Sequence, residues 1–408
     1  MEAPIRLAQR AQRVAPFYVM ELAKAAQAMA AQGGADQRRM LYLNIGEPDF
    51  TAPPLVQAAA ERAIRDGRTQ YTQATGLPAL REAISGWYAQ RFGLAIDPSR
   101  IIVTAGASMA LQLACLALIE AGDEVLMPDP CYPCNRQFVQ AAEGRAVLLP
   151  SGPEQRFQLS AEQVRAAWGP ATRGVLLASP SNPTGTSIAR QTLHDIAAHV
   201  RERHGITLVD EIYLGLSYED AFGHSALGLG DGLDEQIISV NSFSKYFNMT
   251  GWRLGWLVVP PALVAPIERL AQNLVICAST VAQHAALACF EAQSLAEYER
   301  RRAAFKARRD YFLPELNRLG LTVPVLPDGA FYAWADTRAW CRHWGLPDDG
   351  SPESGSWALA FELMRRCQIA ATPGRDFGVA EPGRYLRLST ASSMEQLQEA
   401  VARLEAAR

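Results

Sequence analysis

The segment around Lys245 combines residue types that could do covalent chemistry. Lys245 follows an apolar run, residues 237–240, that is typical of a strand, and Arg253 comes eight positions later. A lysine at the end of a buried strand is costly unless it is neutralised, paired or used covalently. One such use is imine formation with an aldehyde cofactor, whose phosphate the hydroxyls of Ser242 and Ser244 and the guanidinium of Arg253 would hold. The alternative is an exposed lysine near an ordinary surface arginine.

Two other polar residues come directly after apolar runs. Asn182 lies between Pro180 and Pro183, and Asp210 follows residues 206–209. The two prolines restrict the backbone, so the amide of Asn182 is expected to point in one direction. The pKa of a carboxylate at the end of a buried strand is raised unless a cation lies beside it, and a protonated pyridine nitrogen is such a cation. Taken alone, Asn182 indicates a turn and Asp210 a helix cap.

A short turn joins the β-branched run at residues 101–104 to a helix that we expect from about Ser108 to Glu120. Backbone N–H groups of Gly106, Ala107 and Ser108 at the start of such a helix can bind a phosphate. Many strand-to-helix turns have a similar composition, so this turn gains meaning only beside the other polar residues.

The elements that must position these residues are short apolar runs that alternate with helical patterns. Strands are predicted at residues 101–104, 124–127, 175–178, 206–209, 237–240 and 255–259, and a further helix at about residues 190–203. Apolar strands separated by helices indicate an α/β fold with a mainly parallel sheet that helices cover on both faces. Ligands bind such sheets at the carboxyl ends of the strands, where the polar residues lie.

The chain is long enough for more than one core. From about residue 261 the pattern becomes helical, with strand-like runs at residues 330–334 and 385–389 and then a terminal helix. We expect a large domain at residues 46–290 and a small α+β domain at residues 291–408. An N-terminal segment, residues 1–45, is expected to contribute to the small domain.

The composition excludes several classes of function. The chain is 49% hydrophobic and 20% charged, with a net charge of −3 and both signs mixed along its length. Such a chain folds as an ordinary globular protein and has no expected nucleic-acid partner. Its start lacks the apolar core of a secretory signal, and no apolar run is long enough for a bilayer, so we expect a cytoplasmic protein with no membrane partner.

The cysteines and histidines do not predict a redox or metal site. Seven cysteines spread over the chain fit reduced thiols better than a disulfide framework. Cys131 and Cys134 have the spacing of a redox pair, but they follow a proline-broken loop rather than a helix start. His194 and His199 are five positions apart, which misses the spacing of a zinc-binding helix.

Further motifs follow one another along the chain. Residues 44–50 read NIGEPDF, residues 71–81 read YTQATGLPALR, and the Lys245 segment and Arg387 come later. Together these motifs resemble the class I/II aminotransferases, the large fold-type I family that uses pyridoxal phosphate. The resemblance covers nearly the whole chain. It implies a mainly parallel seven-stranded sheet sandwiched by helices, with a smaller α+β domain.

The resemblance implies a role for each polar residue near the ring of pyridoxal phosphate. Lys245 would form the imine and then move a proton as general acid and base. Asp210 would pair with the ring nitrogen. Asn182 and Tyr213 would donate to the ring oxygen, and Tyr132 would stack on the ring face.

The resemblance also implies a phosphate site and a homodimer. The residues that would hold the phosphate are Gly106, Ala107, Ser108, Ser242, Ser244, Arg253 and, from the neighbouring subunit, Tyr71. Many members of the family have a second glycine and a lysine where this chain has Ala107 and Ser108. Only the backbone N–H role of the turn is therefore carried over.

For the substrate, the resemblance implies a carboxylate clamp by Arg387, a contact from Asn182, and close passage of the chain at Gly46. A second arginine for a substrate side chain is not identifiable, and Arg136 and Arg375 are only loosely placed candidates. The implied reaction moves an amino group from an amino acid to a 2-oxo acid, with 2-oxoglutarate as the expected common partner, in a ping-pong scheme.

Two other functions compete with transamination. A C–S β-lyase acting on cysteine conjugates would use the same lysine and clamp, and would release pyruvate and ammonia without an added 2-oxo acid. A regulator that senses the cofactor would need an N-terminal DNA-binding module. The segment before Asn44 is too short for such a module and is not notably basic.

Overall fold

The computed structural model describes residues 5–14, 16, 18–32, 39–349, 351 and 353–408. The first elements in chain order are α1 (Gln9–Arg13), α2 (Tyr18–Gln32), β1 (Leu41–Tyr42), α3 (Pro54–Arg65), α4 (Pro78–Phe92), β2 (Ile101–Thr104), α5 (Gly106–Leu118), β3 (Glu124–Asp129), α6 (Pro133–Ala141) and β4 (Arg145–Pro150). Next come α7 (Ala161–Ala167), β5 (Thr172–Ala178), α8 (Arg190–Glu202), β6 (Ile206–Asp210), β7 (Ile237–Ser242), β8 (Gly255–Val258), α9 (Pro261–Leu274) and α10 (Thr280–Ala286). The remaining elements are α11 (Ala292–Arg318), β9 (Tyr332–Asp336), α12 (Arg338–His343), α13 (Ser356–Glu362), β10 (Ile369–Ala370), β11 (Thr372–Pro373), β12 (Tyr385–Ser389) and α14 (Met394–Ala407).

The large sheet has seven strands in the order β2-β8-β7-β6-β5-β3-β4. Its neighbouring strands pair in parallel except at β8, which is antiparallel to both β2 and β7. This arrangement confirms the predicted α/β fold with a mainly parallel seven-stranded sheet. The polar residues Asp210 and Ser242 end β6 and β7, so the parallel strands bring them to one edge of the sheet.

Alternate residues of the strands pack into two separate cores. Val175 and Leu177 of β5 belong to one hydrophobic cluster, whereas Leu176 between them belongs to another. Because successive side chains of a strand point to opposite faces, the two clusters lie on the two faces of the sheet. This double burial explains why the strands read as continuous apolar runs.

A third hydrophobic cluster joins the two ends of the chain. It contains Leu22 of α2, Leu41 of β1, Phe312 of α11 and Leu397 of α14. Around it, β11, β12 and β9 form an antiparallel sheet, and β1 pairs with β10 in parallel. The domain boundaries after residues 45 and 290 stay a prediction. No helix among the described residues combines the length and the apolar character needed to cross a membrane.

Candidate active site

A cavity of about 570 Å³ lies at the carboxyl ends of the parallel strands. The predicted site residues that line it are Gly46, Ala107, Ser108, Tyr132, Asn182, Asp210, Tyr213, Ser242, Ser244, Lys245, Arg253 and Arg387. They come from distant parts of the sequence, and the folded chain brings them together around one space.

Lys245 lies in the turn that follows β7. Its Nζ donates a hydrogen bond of 2.6 Å to the carbonyl oxygen of Gly46. Burial lowers the pKa of the Lys245 ammonium to about 8, and the nearby guanidinium of Arg387 adds to the effect. About half of the Lys245 side chains are therefore neutral near pH 8. A neutral amine is the form that attacks an aldehyde carbon.

Asp210 is buried at the end of β6. Its Oδ1 accepts a hydrogen bond of 3.1 Å from the backbone N–H of Ile212. Burial raises the pKa of Asp210 to about 7, while the Ile212 hydrogen bond and the charge of Lys245 act in the opposite direction. A cation placed against this carboxylate would favour its ionised form.

Arg387 projects from β12 into the cavity and is 4% exposed. Its Nη1 donates to Oδ1 of Asn182 at 2.8 Å, and its Nη2 donates to the carbonyl oxygen of Asn44 at 2.7 Å. Its Nε is buried without a hydrogen-bond partner. The guanidinium lies 4.6 Å from the ring centroid of Tyr332 and 4.9 Å from that of Phe377. A buried fork with an unused donor is suited to a carboxylate.

The start of α5 and Arg253 form a cradle for an anion. A Cβ added to Gly106 would lie 2.7 Å from Nη2 of Arg253, and one added to Gly255 would lie 2.8 Å from the backbone nitrogen of Ala107. The two glycines therefore let the guanidinium and the first N–H groups of α5 approach each other. Positive groups and helix N–H groups in this arrangement favour a phosphate.

Tyr332 is a site residue that the sequence did not reveal. Its hydroxyl lies 2.6 Å from that of Tyr213, and a Cβ added to Gly46 would come within 2.2 Å of the Tyr332 oxygen. Burial raises the pKa of Tyr213 well above 10, so its phenol stays protonated and can donate. The run at residues 330–334 predicted only a strand. Its alternating pattern could have shown which side chains share a face, but not that Tyr332 faces the cavity.

Some predicted residues lie outside the cavity. Tyr71 is 79% exposed and does not line the cavity. Gly106 does not line it either, but the absence of a side chain there lets Arg253 approach. Arg136 donates to the carbonyl oxygen of Asp376 at 2.5 Å. The guanidinium of Arg375 lies over the rings of two aromatic residues, with 4.1 Å to the Tyr18 centroid. Neither arginine lines the cavity of its own chain.

The expectation that Cys131 and Cys134 do not lie at a helix start was wrong for Cys134. Pro133 begins α6, so Cys134 occupies the first turn of a helix, where a thiol pKa is often lowered. Burial nevertheless raises the pKa of Cys134, and it raises that of Cys131 to about 12. Burial thus disfavours the thiolate form of both cysteines.

Comparisons with known proteins agree with this geometry. Residues 38–404 match the model of the family described as aminotransferase class I and II. The chain belongs to the class I and II aminotransferases. A valine–pyruvate aminotransferase of Mycobacterium tuberculosis is 37% identical over 399 residues, which cover 98% of this chain and 97% of that protein. An aspartate aminotransferase of Rhizobium meliloti is 34% identical over 411 residues, which cover 100% and 97%.

Solved structures extend the likeness of this aminotransferase to three dimensions. The crystal structure of an aminotransferase from Mycobacterium tuberculosis matches with a TM-score of 0.90 and 36% identity, covering 98% of both chains. The aspartate aminotransferase from Thermus thermophilus with maleate matches with a TM-score of 0.87 and 33% identity, again covering 98% of both chains. The fold is therefore that of the aspartate aminotransferases.

The aminotransferase is a pyridoxal phosphate-dependent enzyme, and its cavity fits that cofactor. The glycine-lined cradle at Arg253 suits the phosphate, and the buried Asp210, whose pKa is raised, suits a positively charged ring nitrogen. Lys245, whose pKa is lowered, lies in the same cavity. The side chains of Arg253, Asp210 and Lys245 therefore give the cavity the three properties that the cofactor needs.

Proposed function

We propose that the enzyme moves the amino group of an L-amino acid to a 2-oxo acid in two half-reactions that use one site in turn. The observation that carries this proposal is the shared cavity of Lys245, Asp210 and Arg387. An amine, a carboxylate and a guanidinium are the groups needed to hold the cofactor, to tune its ring and to bind a substrate carboxylate. When bound, pyridoxal phosphate supplies an electron sink for the charge left after removal of the substrate Cα proton.

The residues have the following roles in this proposal. Lys245 would hold the aldehyde carbon of the cofactor through Nζ, and its free amine would take the Cα proton of the substrate and later return it. Asp210 would face the ring nitrogen, and Asn182 and Tyr213 would donate to the ring oxygen. Arg387 binds the α-carboxylate with its planar fork, which also orients the Cα–H bond towards the lysine.

The other implied contacts complete the cofactor site. Tyr132 would pack on the ring, and its place in the cavity wall supports this role. The phosphate would be held by the cradle (Gly106, Ala107, Ser108 and Arg253) and by the hydroxyls of Ser242 and Ser244. Ser242 is already ordered there, because its Oγ accepts from the backbone N–H of Ser244 at 3.0 Å.

We also infer a homodimer in which Tyr71 reaches the phosphate of the neighbouring subunit. The exposure of Tyr71, away from the cavity of its own chain, supports this inference. Two finer points stay predictions: 2-oxoglutarate as the common acceptor, and a cytoplasmic location. The name of the M. tuberculosis relative couples valine with pyruvate, so these two compounds belong in the first assays.

A β-lyase on cysteine conjugates would use the same lysine and clamp, and differs in what leaves after proton removal. The similar proteins carry aminotransferase names and do not favour the lyase. The two reactions are separated by adding single amino acids to the purified, cofactor-loaded protein without a 2-oxo acid. Transamination gives one stoichiometric change of the visible spectrum and the matching 2-oxo acid, whereas the lyase gives continuing release of pyruvate and ammonia.

The Lys245→Ala variant tests the central assignment. We expect loss of the absorbance band of the lysine-bound cofactor and of nearly all turnover, with an unchanged far-ultraviolet dichroism spectrum. Lys306→Ala is the matched control, because Lys306 is an exposed lysine on α11 that pairs with Asp310. An active Lys245→Ala variant with a normal band would refute the proposal.

A further inference from the structure

A buried glutamine of α10 holds the loop in which Tyr71 lies. This loop, residues 70–77, is the last part of the connection between α3 and α4 and is called the tyrosine loop below. Gln283 is fully buried and uses both ends of its amide on this loop. Its Oε1 accepts a hydrogen bond from the backbone N–H of Leu77 at 2.8 Å, and its Nε2 donates to Oγ1 of Thr72 at 3.0 Å. One side chain therefore ties two separate points of the loop to α10.

Two further hydrogen bonds hold the tyrosine loop. Oγ1 of Thr280, which is also in α10, donates to the carbonyl oxygen of Gln70 at 2.7 Å. The backbone N–H of Val103 donates to the carbonyl oxygen of Thr75 at 3.0 Å. Val103 belongs to β2, an edge strand of the large sheet, so this N–H group can pair outside the sheet. The loop is therefore held to α10 on both sides of Tyr71.

Close packing fixes the end of the tyrosine loop, whereas the tyrosine itself is open to solvent. Gly76 has a φ of +92°, and a Cβ added to it would lie 2.5 Å from Cβ of Val103 and 3.1 Å from Oε1 of Gln283. Only glycine suits this position. The side chain of Tyr71, in contrast, is 79% exposed. A fixed loop that presents an exposed side chain is suited to contact a second molecule, because little freedom is lost on binding.

We propose, on the basis of the proposed function, that Gln283 is a positioning residue that holds Tyr71 for its contact with the cofactor phosphate of the neighbouring subunit. Gln283 does not line the cavity of its own chain, so its effect on the cofactor passes through the tyrosine loop. An amide suits this task because it offers an acceptor to Leu77 and a donor to Thr72 at once. A carboxylate would offer acceptors only, and an aliphatic side chain would offer neither.

A pair of variants tests whether the glutamine matters for cofactor binding. Gln283→Met keeps a similar side-chain length and removes both hydrogen bonds to the loop. We expect the dissociation constant of pyridoxal phosphate to rise by about three- to tenfold, because a loosened loop presents Tyr71 for only part of the time. Gln163→Met is the matched control, because the amide of Gln163 also bonds at both ends, to Ser160 and Pro150 at the start of α7. Wild-type affinity in Gln283→Met would overturn the inference.

A double-mutant cycle separates positioning of the tyrosine from general support of the fold. If Gln283 acts through Tyr71, Gln283→Met should weaken cofactor binding in the wild type and add nothing in Tyr71→Phe. An equal loss in both backgrounds would overturn the inference and leave the role of Tyr71 in the proposed function intact. Wild-type affinity in Tyr71→Phe alone would refute that role, and the inference with it.

Mixed dimers give a readout that a structural role within one chain would not move. Wild-type subunits are refolded with subunits that carry both Lys245→Ala and Gln283→Met, and the mixed dimers are isolated through two different affinity tags. Only the wild-type subunit then gives the absorbance band of the lysine-bound cofactor. We expect weakened affinity at this site, although its own chain is unchanged. Wild-type affinity there would contradict positioning across the interface.

Thr280→Val keeps the test decisive if the buried Gln283 cannot be replaced without unfolding. This variant removes only the hydroxyl that donates to Gln70, and valine has nearly the shape of threonine. We expect a smaller rise of the cofactor dissociation constant, about two- to threefold, that disappears in the Tyr71→Phe background. An unchanged dissociation constant, or the same rise in both backgrounds, would overturn the inference.

Discussion

The side chain of Arg387 is already fixed in place before a substrate binds. Its Nη1 and Nη2 already donate to Asn182 and Asn44, and only its buried Nε has no partner. The rings of Tyr332 and Phe377 hold the guanidinium plane. A substrate carboxylate therefore meets a side chain that loses little rotamer freedom on binding, which lowers the entropic cost of association.

Substitution of Arg387 should weaken both kinds of substrate. In Arg387→Leu a buried, charge-assisted contact is lost. We expect this loss to cost about 2–5 kcal/mol of transition-state stabilisation, seen as a fall in kcat/KM for amino acids and 2-oxo acids alike. Arg387→Lys keeps the charge without the planar fork, so its kcat/KM should lie between those of the wild type and Arg387→Leu. The cofactor absorbance serves as the control for an intact site. A loss confined to one class of substrate would contradict the role of a common clamp.

At the residue scale, the sequence predicted the groups whose type the chemistry dictates. Lys245, Asp210 and Arg387 are conspicuous because charged residues beside apolar runs need an explanation. Tyr332 could not be predicted, because its partner Tyr213 lies far away in the chain and a tyrosine in a strand is ordinary packing. Tertiary contacts alone give this residue its place in the site.

At the scale of elements, α2 depends on a carboxylate from the other end of the chain. The backbone N–H groups of Tyr18 and Val19 donate to the two carboxylate oxygens of Asp376, at 3.0 and 2.6 Å. The first N–H groups of a helix have no partner within the helix, so this carboxylate replaces a local cap. Because Val19 and Ala23 line the cavity, Asp376 acts as a positioning residue for the part of the lining that α2 forms.

The cap of α2 should respond to pH. Burial raises the pKa of Asp376 to about 6, although the two N–H groups and the nearby Arg387 and Arg136 act against this. As the pH falls through 6, Asp376 takes up a proton and loses an acceptor oxygen, so the cap weakens. The effect on global stability has the opposite sign, because a raised folded pKa means that the ionised form is penalised at neutral pH.

Hydrogen exchange measures this local effect. Between pH 7.5 and 5, after correction for the intrinsic rates, protection of the first turn of α2 should fall by about 0.5–2 kcal/mol. In Asp376→Ala the protection should be low at both pH values. The first turn of α14 is an internal control, because the hydroxyl of Ser393 caps it. A pH-independent wild type would show that Asp376 does not set the cap.

The strands show which elements could be predicted from the sequence and which could not. The central strands are buried on both faces and were recognised as apolar runs, whereas β4 was missed. Its residues are only partly buried at the edge of the sheet, so its pattern is too mixed to stand out. The antiparallel direction of β8 also gave no signal, because a buried strand reads the same in both directions.

At the scale of the whole molecule, the site of one chain is incomplete under the proposed function. Tyr71 would lie in the loop between α3 and α4 of one subunit and bind the phosphate of the other. Removing its hydroxyl in Tyr71→Phe should raise the dissociation constant of pyridoxal phosphate by about tenfold, the cost of one hydrogen bond to a charged group.

Mixed dimers decide whether Tyr71 acts within its chain or across the interface. Tyr71→Phe and Lys245→Ala subunits are refolded together, so that one site of each mixed dimer has an intact lysine. If Tyr71 reaches across, that site also receives an intact tyrosine and binds the cofactor with wild-type affinity. If all lysine-containing sites keep the weakened affinity, the contribution across the interface is wrong.

The cluster that joins the two ends of the chain has a consequence for how the enzyme is made. Leu22 of α2 packs with residues such as Leu363 and Leu397, which the ribosome adds several hundred codons later. At about 5–20 residues per second, the apolar face of α2 waits tens of seconds for its partners. Until then, the part of the cavity that α2 forms lacks the core that supports it.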